Sequence, residues 1–128
     1  MGGNGTFAAG NIVKYRWETV GKISGVKILE LKDKGVSRKL PEEARSSRMY
    51  IQQHSDGTFS QLRIYDSFHR LRFEVGYHRE PTLDKTGKSV LHYHVYTYYS
   101  GSSHFERTEA RRVTERMRTK LGRFMKGV

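Results

Sequence analysis

Hydrophobic residues recur along this chain with two different periods. Between Arg48 and Tyr99 they alternate with polar residues, which gives a β-strand one apolar and one polar face. Between Ala110 and Phe124 they return every third or fourth residue, which marks one side of a helix. The alternation is cleanest in two stretches. In Arg70–His78, Leu71, Phe73, Val75 and Tyr77 interleave with Arg70, Arg72, Glu74, Gly76 and His78. In Ser89–Tyr99, Leu91, Tyr93 and Val95 occupy one face, and Val90, His92, His94, Tyr96 and Tyr98 the other.

Turn residues divide the alternating region into strands. Asp56-Gly57 predicts a hairpin between Arg48–His54 and Thr58–Tyr65, and Asp66–His69 makes the next connection. Pro81 ends the Arg70 strand, and Asp84–Lys88 turns the chain into Ser89. Upstream, Ile12–Val20 and Val26–Leu31 have strand composition and form a hairpin around Gly21–Gly25. Val36–Ser47 reads as a polar loop, with Pro41, Glu42, Glu43 and Ala44 making one helical turn. Gly101-Ser102-Ser103 breaks the sheet, and Thr108 is placed to cap a helix, with Ser103 as a competing start. That helix would lay Ala110, Val113, Met117, Leu121 and Phe124 on Leu62, Ile64, Phe73, Val75, Tyr93 and Val95. The expected fold is therefore α+β: an antiparallel meander of about 4–6 strands with a C-terminal amphipathic basic helix packed on one face. Residues 1–11 would be a flexible Gly-rich arm, and residues 12–128 a single domain.

Composition adds the partner class. The chain has 24 Lys and Arg against 13 Asp and Glu, a formal net charge of +11, which favours RNA or another polyanion. Glu106–Lys126 alone holds eight basic and three acidic residues, net +5. Arg111, Arg112, Arg116, Arg118, Lys120 and Arg123 lie outside its apolar stripe. There is no cysteine, so disulfides and thiol chemistry are excluded. No stretch has the length of a membrane span or the apolar centre of a secretory signal. The expected setting is soluble and cytoplasmic, with no membrane partner. Gly2 with Thr6 fits a myristoylation pattern and Asn4-Gly5-Thr6 a glycosylation sequon, but a plain Gly-rich arm explains both.

Candidate chemistry sits on the polar face. With the strands paired in order, Arg63, Arg72, Glu74, His92, His94 and Tyr96 share one side of the sheet. His92 and His94 would supply an acid–base pair, with Glu74 orienting one ring. Arg63 and Arg72 would hold phosphate, and Tyr96 and Tyr98 would stack bases. Such a set suits metal-independent RNA cleavage, which calls for no cofactor. The rival chemistry is a metal held by His92 and His94, with Glu74 or His78 as third ligand. In the blandest reading the row is a half-buried polar layer covered by residues 12–31.

Four motifs carry a resemblance: MGGNGTFAAGN at Met1–Asn11, LPEEARSS at Leu40–Ser47, YHREP at Tyr77–Pro81 and VLHYH at Val90–His94. Together they resemble a small uncharacterised protein family encoded by phages and prophages of Gram-positive bacteria, often among head and packaging genes. The resemblance implies a viral origin and the cytoplasm of a bacterial host, and names no activity. A weaker architectural likeness is to compact RNase toxin domains. The expected function is a phage-encoded basic nucleic-acid-binding domain with RNase chemistry on the His/Arg/Tyr face. The alternative is a noncatalytic protein that holds a host or virion protein through its basic helix.

Overall fold

The computed structural model describes residues 17–31, 40–41, 43–44, 47–99 and 104–128, the side chain of Leu31 excepted. The arm at 1–11 and the start of the first expected strand, 12–16, lie outside the described residues. Among the described residues eight strands follow one another: β1 Trp17–Ile23, β2 Val26–Leu31, β3 Met49–Gln53, β4 Phe59–Tyr65, β5 Leu71–Arg79, β6 Ser89–Tyr98, β7 Phe105–Arg107 and β8 Arg111–Arg112. One short helix, α1 Glu115–Leu121, and a 3-10 turn at Gly122–Phe124 end the chain. The strands form a single sheet in the order β1-β2-β3-β4-β5-β6-β7, and β8 also pairs with β6.

This corrects the expected fold on two counts. The sheet is larger than a meander of four to six strands, and it is mixed, because β2 runs parallel to β3 while the other pairs are antiparallel. The long C-terminal helix shrinks to the seven residues of α1. Its expected first half is extended instead, as β7 and β8. The reason lies in β6, whose outer edge would otherwise leave a row of backbone N–H and C=O groups unpaired. Tyr96, Thr97 and Tyr98 pair with β7, and His92 and Tyr93 with β8. Thr108, the expected helix cap, sits between the two as a clasp. Its N–H donates to the Val95 carbonyl at 3.0 Å, and its hydroxyl accepts the Val95 N–H at 3.0 Å. The helix starts later, where Thr114 accepts the Met117 N–H at 3.2 Å.

Loop chemistry explains the hairpins. Ser24 and Gly25 both take positive φ, 48° and 82°, as a two-residue turn between β1 and β2 requires. Asp56 accepts the Thr58 N–H at 2.9 Å, and Gly57 supplies φ of 87° in the β3–β4 turn. The 43–44 segment is not the helical turn expected from Pro41. Glu43 bridges Arg70, and the Ala44 N–H donates to the His69 carbonyl at 3.0 Å, so the chain is extended there.

Register sorts the side chains into rows. Ile28, Ile51, Leu62, Val75 and Tyr93 stand opposite one another across five strands and make the apolar face. Phe124 and Met125 are buried against that face, joined by Val113, Leu121 and Val128. The C-terminal backbone is anchored there too, with the Phe59 N–H donating to the Lys126 carbonyl at 2.9 Å. On the opposite face, Leu29, Leu40, Ala44, Tyr50, Tyr65, Leu71 and Tyr96 form a second buried cluster.

Candidate functional site

The row Tyr50, Arg63, Glu74, His94 crosses the second face, with Gln52, Gln61, Gly76, His92, Arg112 beside it. Alternation thus brings together the side chains it was expected to bring together. Their partners give them different work. Arg63 is buried, and its Nε donates to Glu74 Oε2 at 2.7 Å while its Nη2 lies 2.6 Å from the same oxygen. Its Nη1 donates to the carbonyls of Leu40 at 2.8 Å and Pro41 at 3.3 Å. Tyr65 donates to the Pro41 carbonyl as well. Glu74 also receives Gln61 Nε2 at 3.2 Å and the Tyr96 hydroxyl at 3.3 Å. Among the described residues, Leu40 and Pro41 lie against this ion pair through their carbonyls. Residues 17–31 instead extend the sheet sideways. Arg63 therefore turns its donors inward, and Glu74 orients an arginine.

Burial pushes the Glu74 carboxyl up, but the Arg63 charge and hydrogen bond outweigh it and hold the group below its ordinary range. Asp66 behaves alike. Burial raises it, and the Arg70 and Phe68 N–H groups, with the Arg70 charge, bring it lower. Both carboxyls release their protons more readily folded than unfolded. Their contribution is full above about pH 4.5 and is lost as the pH falls through the folded values. Urea midpoints measured from pH 7 to pH 3 should drop below about pH 4.5, and Glu74→Gln should flatten that fall.

Three histidines cluster at the other end of the face. The His92 and His78 rings meet edge to face with centroids 4.5 Å apart, and those of His92 and His94 are 5.6 Å apart. His92 is 1% exposed and His94 6%. Gly76 makes the room. A Cβ there would stand 3.1 Å from His78 Nε2 and 3.5 Å from His92 Cε1. His92 Nδ1 lies 2.8 Å from the Val90 carbonyl, and His94 Nδ1 2.9 Å from the Thr108 carbonyl. A carbonyl can only accept, so each Nδ1 carries a proton, and in a neutral ring Nε2 is then the nitrogen with the lone pair. Burial, with His78 and His94 nearby, lowers the His92 ring below its ordinary value, against the opposing pull of the Val90 carbonyl and Glu80. Glu80 stands by this cluster. Thr82 donates to its Oε1 at 2.9 Å and lowers its carboxyl. One ligand atom each from Glu80, His92 and His94 lies within 4.8 Å of the others.

A third group lies where β5 begins and β6 ends. The Arg70 guanidinium stands 4.7 Å from the Tyr98 ring centre and 5.3 Å from that of Phe68, and Arg72 stands 5.9 Å from Tyr98. Phe105 packs its ring against both Tyr96 and Tyr98, with centroids 5.2 and 5.7 Å away. Phe68 is 72% exposed, Tyr99 54% and Phe105 42%, a large aromatic surface for water to face. Arg111, Arg112, Arg116, Arg118, Lys120 and Arg123 are all exposed. Arg112 donates to the Leu83 carbonyl, so one of its donors is already taken.

Of the site residues read from sequence, Arg63, Glu74, His92, His94 and Tyr96 are buried; Arg72 is exposed and Tyr98 partly so. Glu80, Phe68, Arg70 and Phe105 were missed. Glu80 was within reach, since it continues the even-numbered series 74, 76, 78 of β5. Phe68 lies in a turn, where alternation gives no signal.

Comparison with known proteins brings no match: no family model, curated protein or solved structure is similar to the chain. Among the described residues no helix is long and apolar enough to cross a membrane.

Proposed function

We propose that this chain binds single-stranded nucleic acid, RNA foremost, where β5 begins and β6 ends and on along β7 and β8. The observation that carries the reading is the contiguous patch of Phe68, Arg70, Arg72, Tyr98 and Phe105. Exposed rings stack on bases of any sequence, and guanidinium groups beside them pair with the phosphates that follow. From this patch β7 and β8 run in series along β6, carrying Arg107, Arg111 and Arg112. They extend the positive edge, and the net charge of +11 would draw in a polyanion from a distance. The motif resemblance suggests a phage or prophage origin and a bacterial cytoplasm as the setting. RNA cleavage by His92 and His94 finds less support, because both rings are buried and each has one nitrogen committed to a carbonyl.

Fluorescence anisotropy with a short labelled oligouridine tests the reading. Binding should weaken with salt, and Arg111→Glu with Arg112→Glu should reduce the log–log slope by roughly 1–2, at about 0.7 for each phosphate no longer neutralised. Phe68→Ala and Phe105→Ala should each weaken binding about 5- to 100-fold at constant slope, as removal of one base stack would. Salt-independent binding, or equal affinity for duplex and single strand, overturns the proposal. No RNA binding at all, with a protein partner released on reversing Arg112 and Arg116, would replace it with the protein-binding alternative.

A further inference from the structure

We infer that Glu80, His92 and His94 form a binding site for a divalent first-row transition metal ion of the zinc type. The residue types fit. Imidazole nitrogens with a carboxylate suit zinc, iron(II), cobalt or nickel, whereas magnesium and calcium prefer an all-oxygen shell. The spacing fits as well. The three ligand atoms lie within 4.8 Å of one another, and ligands about 2.0 Å from a tetrahedral zinc ion stand roughly 3.3 Å apart. Glu80 closes that difference most readily, because it stands at the strand end and is only partly buried, whereas the rings are fixed from behind.

That backing is the stronger argument. Metal-binding histidines almost always donate their other ring N–H to a carbonyl or carboxylate, which fixes the tautomer and aims the free nitrogen. Both histidines here do so, toward Val90 and Thr108, and the Thr82 hydroxyl holds the Glu80 carboxylate in the same manner. Each of the three ligands thus has its own outer partner. The Thr108 clasp, which pins the loop between β7 and β8 to β6, supplies one of them. His78 packs edge-on against His92. Gly76 leaves the space that a side chain would fill. A polar layer built only for stability has no need to leave two imidazole nitrogens and a carboxylate oxygen converging. Three protein ligands leave a fourth position for water or a ligand, as in catalytic zinc sites, where structural sites are closed.

The experiment uses the full chain, stripped with chelator and dialysed. Zn(II) is titrated by calorimetry, and Co(II) is added to a second sample to read visible d–d absorption. One equivalent should bind, and Co(II) should give the intense bands of a tetrahedral site. Glu80→Gln, at a partly exposed position, should weaken Zn(II) at least tenfold while the circular dichroism spectrum stays unchanged. Thr82→Val should weaken it about 10- to 100-fold, the usual effect of removing an outer partner. His54→Gln, outside the cluster, should change nothing. Absence of stoichiometric binding overturns the inference. So does binding that survives Glu80→Gln and His94→Gln, or that His54→Gln abolishes. None of these readouts involves RNA, so the metal site and the nucleic-acid edge stand or fall separately.

Discussion

Replacing Glu74 by alanine should cost the fold about 3–5 kcal/mol, read as a fall in the urea midpoint at unchanged slope. The pair it breaks is buried on both sides, with side chains 5% and 8% exposed. Without the carboxylate, the Arg63 guanidinium keeps, among the described residues, two backbone carbonyls inside a covered layer, and its charge is uncompensated. Gln61 and Tyr96 lose an acceptor at the same time. Removing both charges should hurt less than removing one. Arg63→Met with Glu74→Met leaves no buried ion, and its cost should fall well below that of Glu74→Ala, since the desolvation of two charges is also removed. A double variant as unstable as the single one would mean that Arg63 acts mainly by tying down Leu40 and Pro41.

Phe124→Ala is the second large effect, expected at about 3–5 kcal/mol. Phe124 is buried in the main apolar cluster with Phe59, Leu62 and Val75. Met117, on the same apolar spacing in the sequence, belongs to a helix with no fully buried residue. Met117→Ala should therefore cost about 1 kcal/mol or less. Thermal and urea unfolding of the two variants, side by side, separates an anchor at the very end of the chain from a helix lying along the sheet. Equal losses would mean that α1 is packed as firmly as Phe124.

The contrast shows where the sequence was legible. Period-two alternation located β3 to β6 to within about a residue, because hydrophobic side chains on one face alternate with polar and aromatic ones on the other, and turn residues stand at both ends. It also placed Arg63, Glu74 and His94 in one row, since alternation and antiparallel pairing together determine which side chains meet. The spacing Ala110, Val113, Met117, Leu121, Phe124 was ambiguous, and the free edge of β6 settled it in favour of strand for the first part. Intrinsic helix preference is weaker than the demand of an unpaired edge. The parallel pairing of β2 with β3 left no local trace, because it joins residues far apart in the chain. Nor did the cover over Arg63. Leu40 and Pro41 lie in a polar stretch, and their carbonyls, which no side-chain pattern reports, do the binding.

That parallel joint also bears on the order in which the molecule assembles. β3 to β6 are linked by short connections and can zip together through neighbouring contacts. β2 pairs with β3 across a longer separation in sequence, with the entropy of closure met before any pairing rewards it. The four central strands are thus the natural nucleus, and the β1–β2 hairpin joins after them. Since its residues leave the ribosome first, the hairpin must wait with its pairing edge open until the strand it docks against has been made.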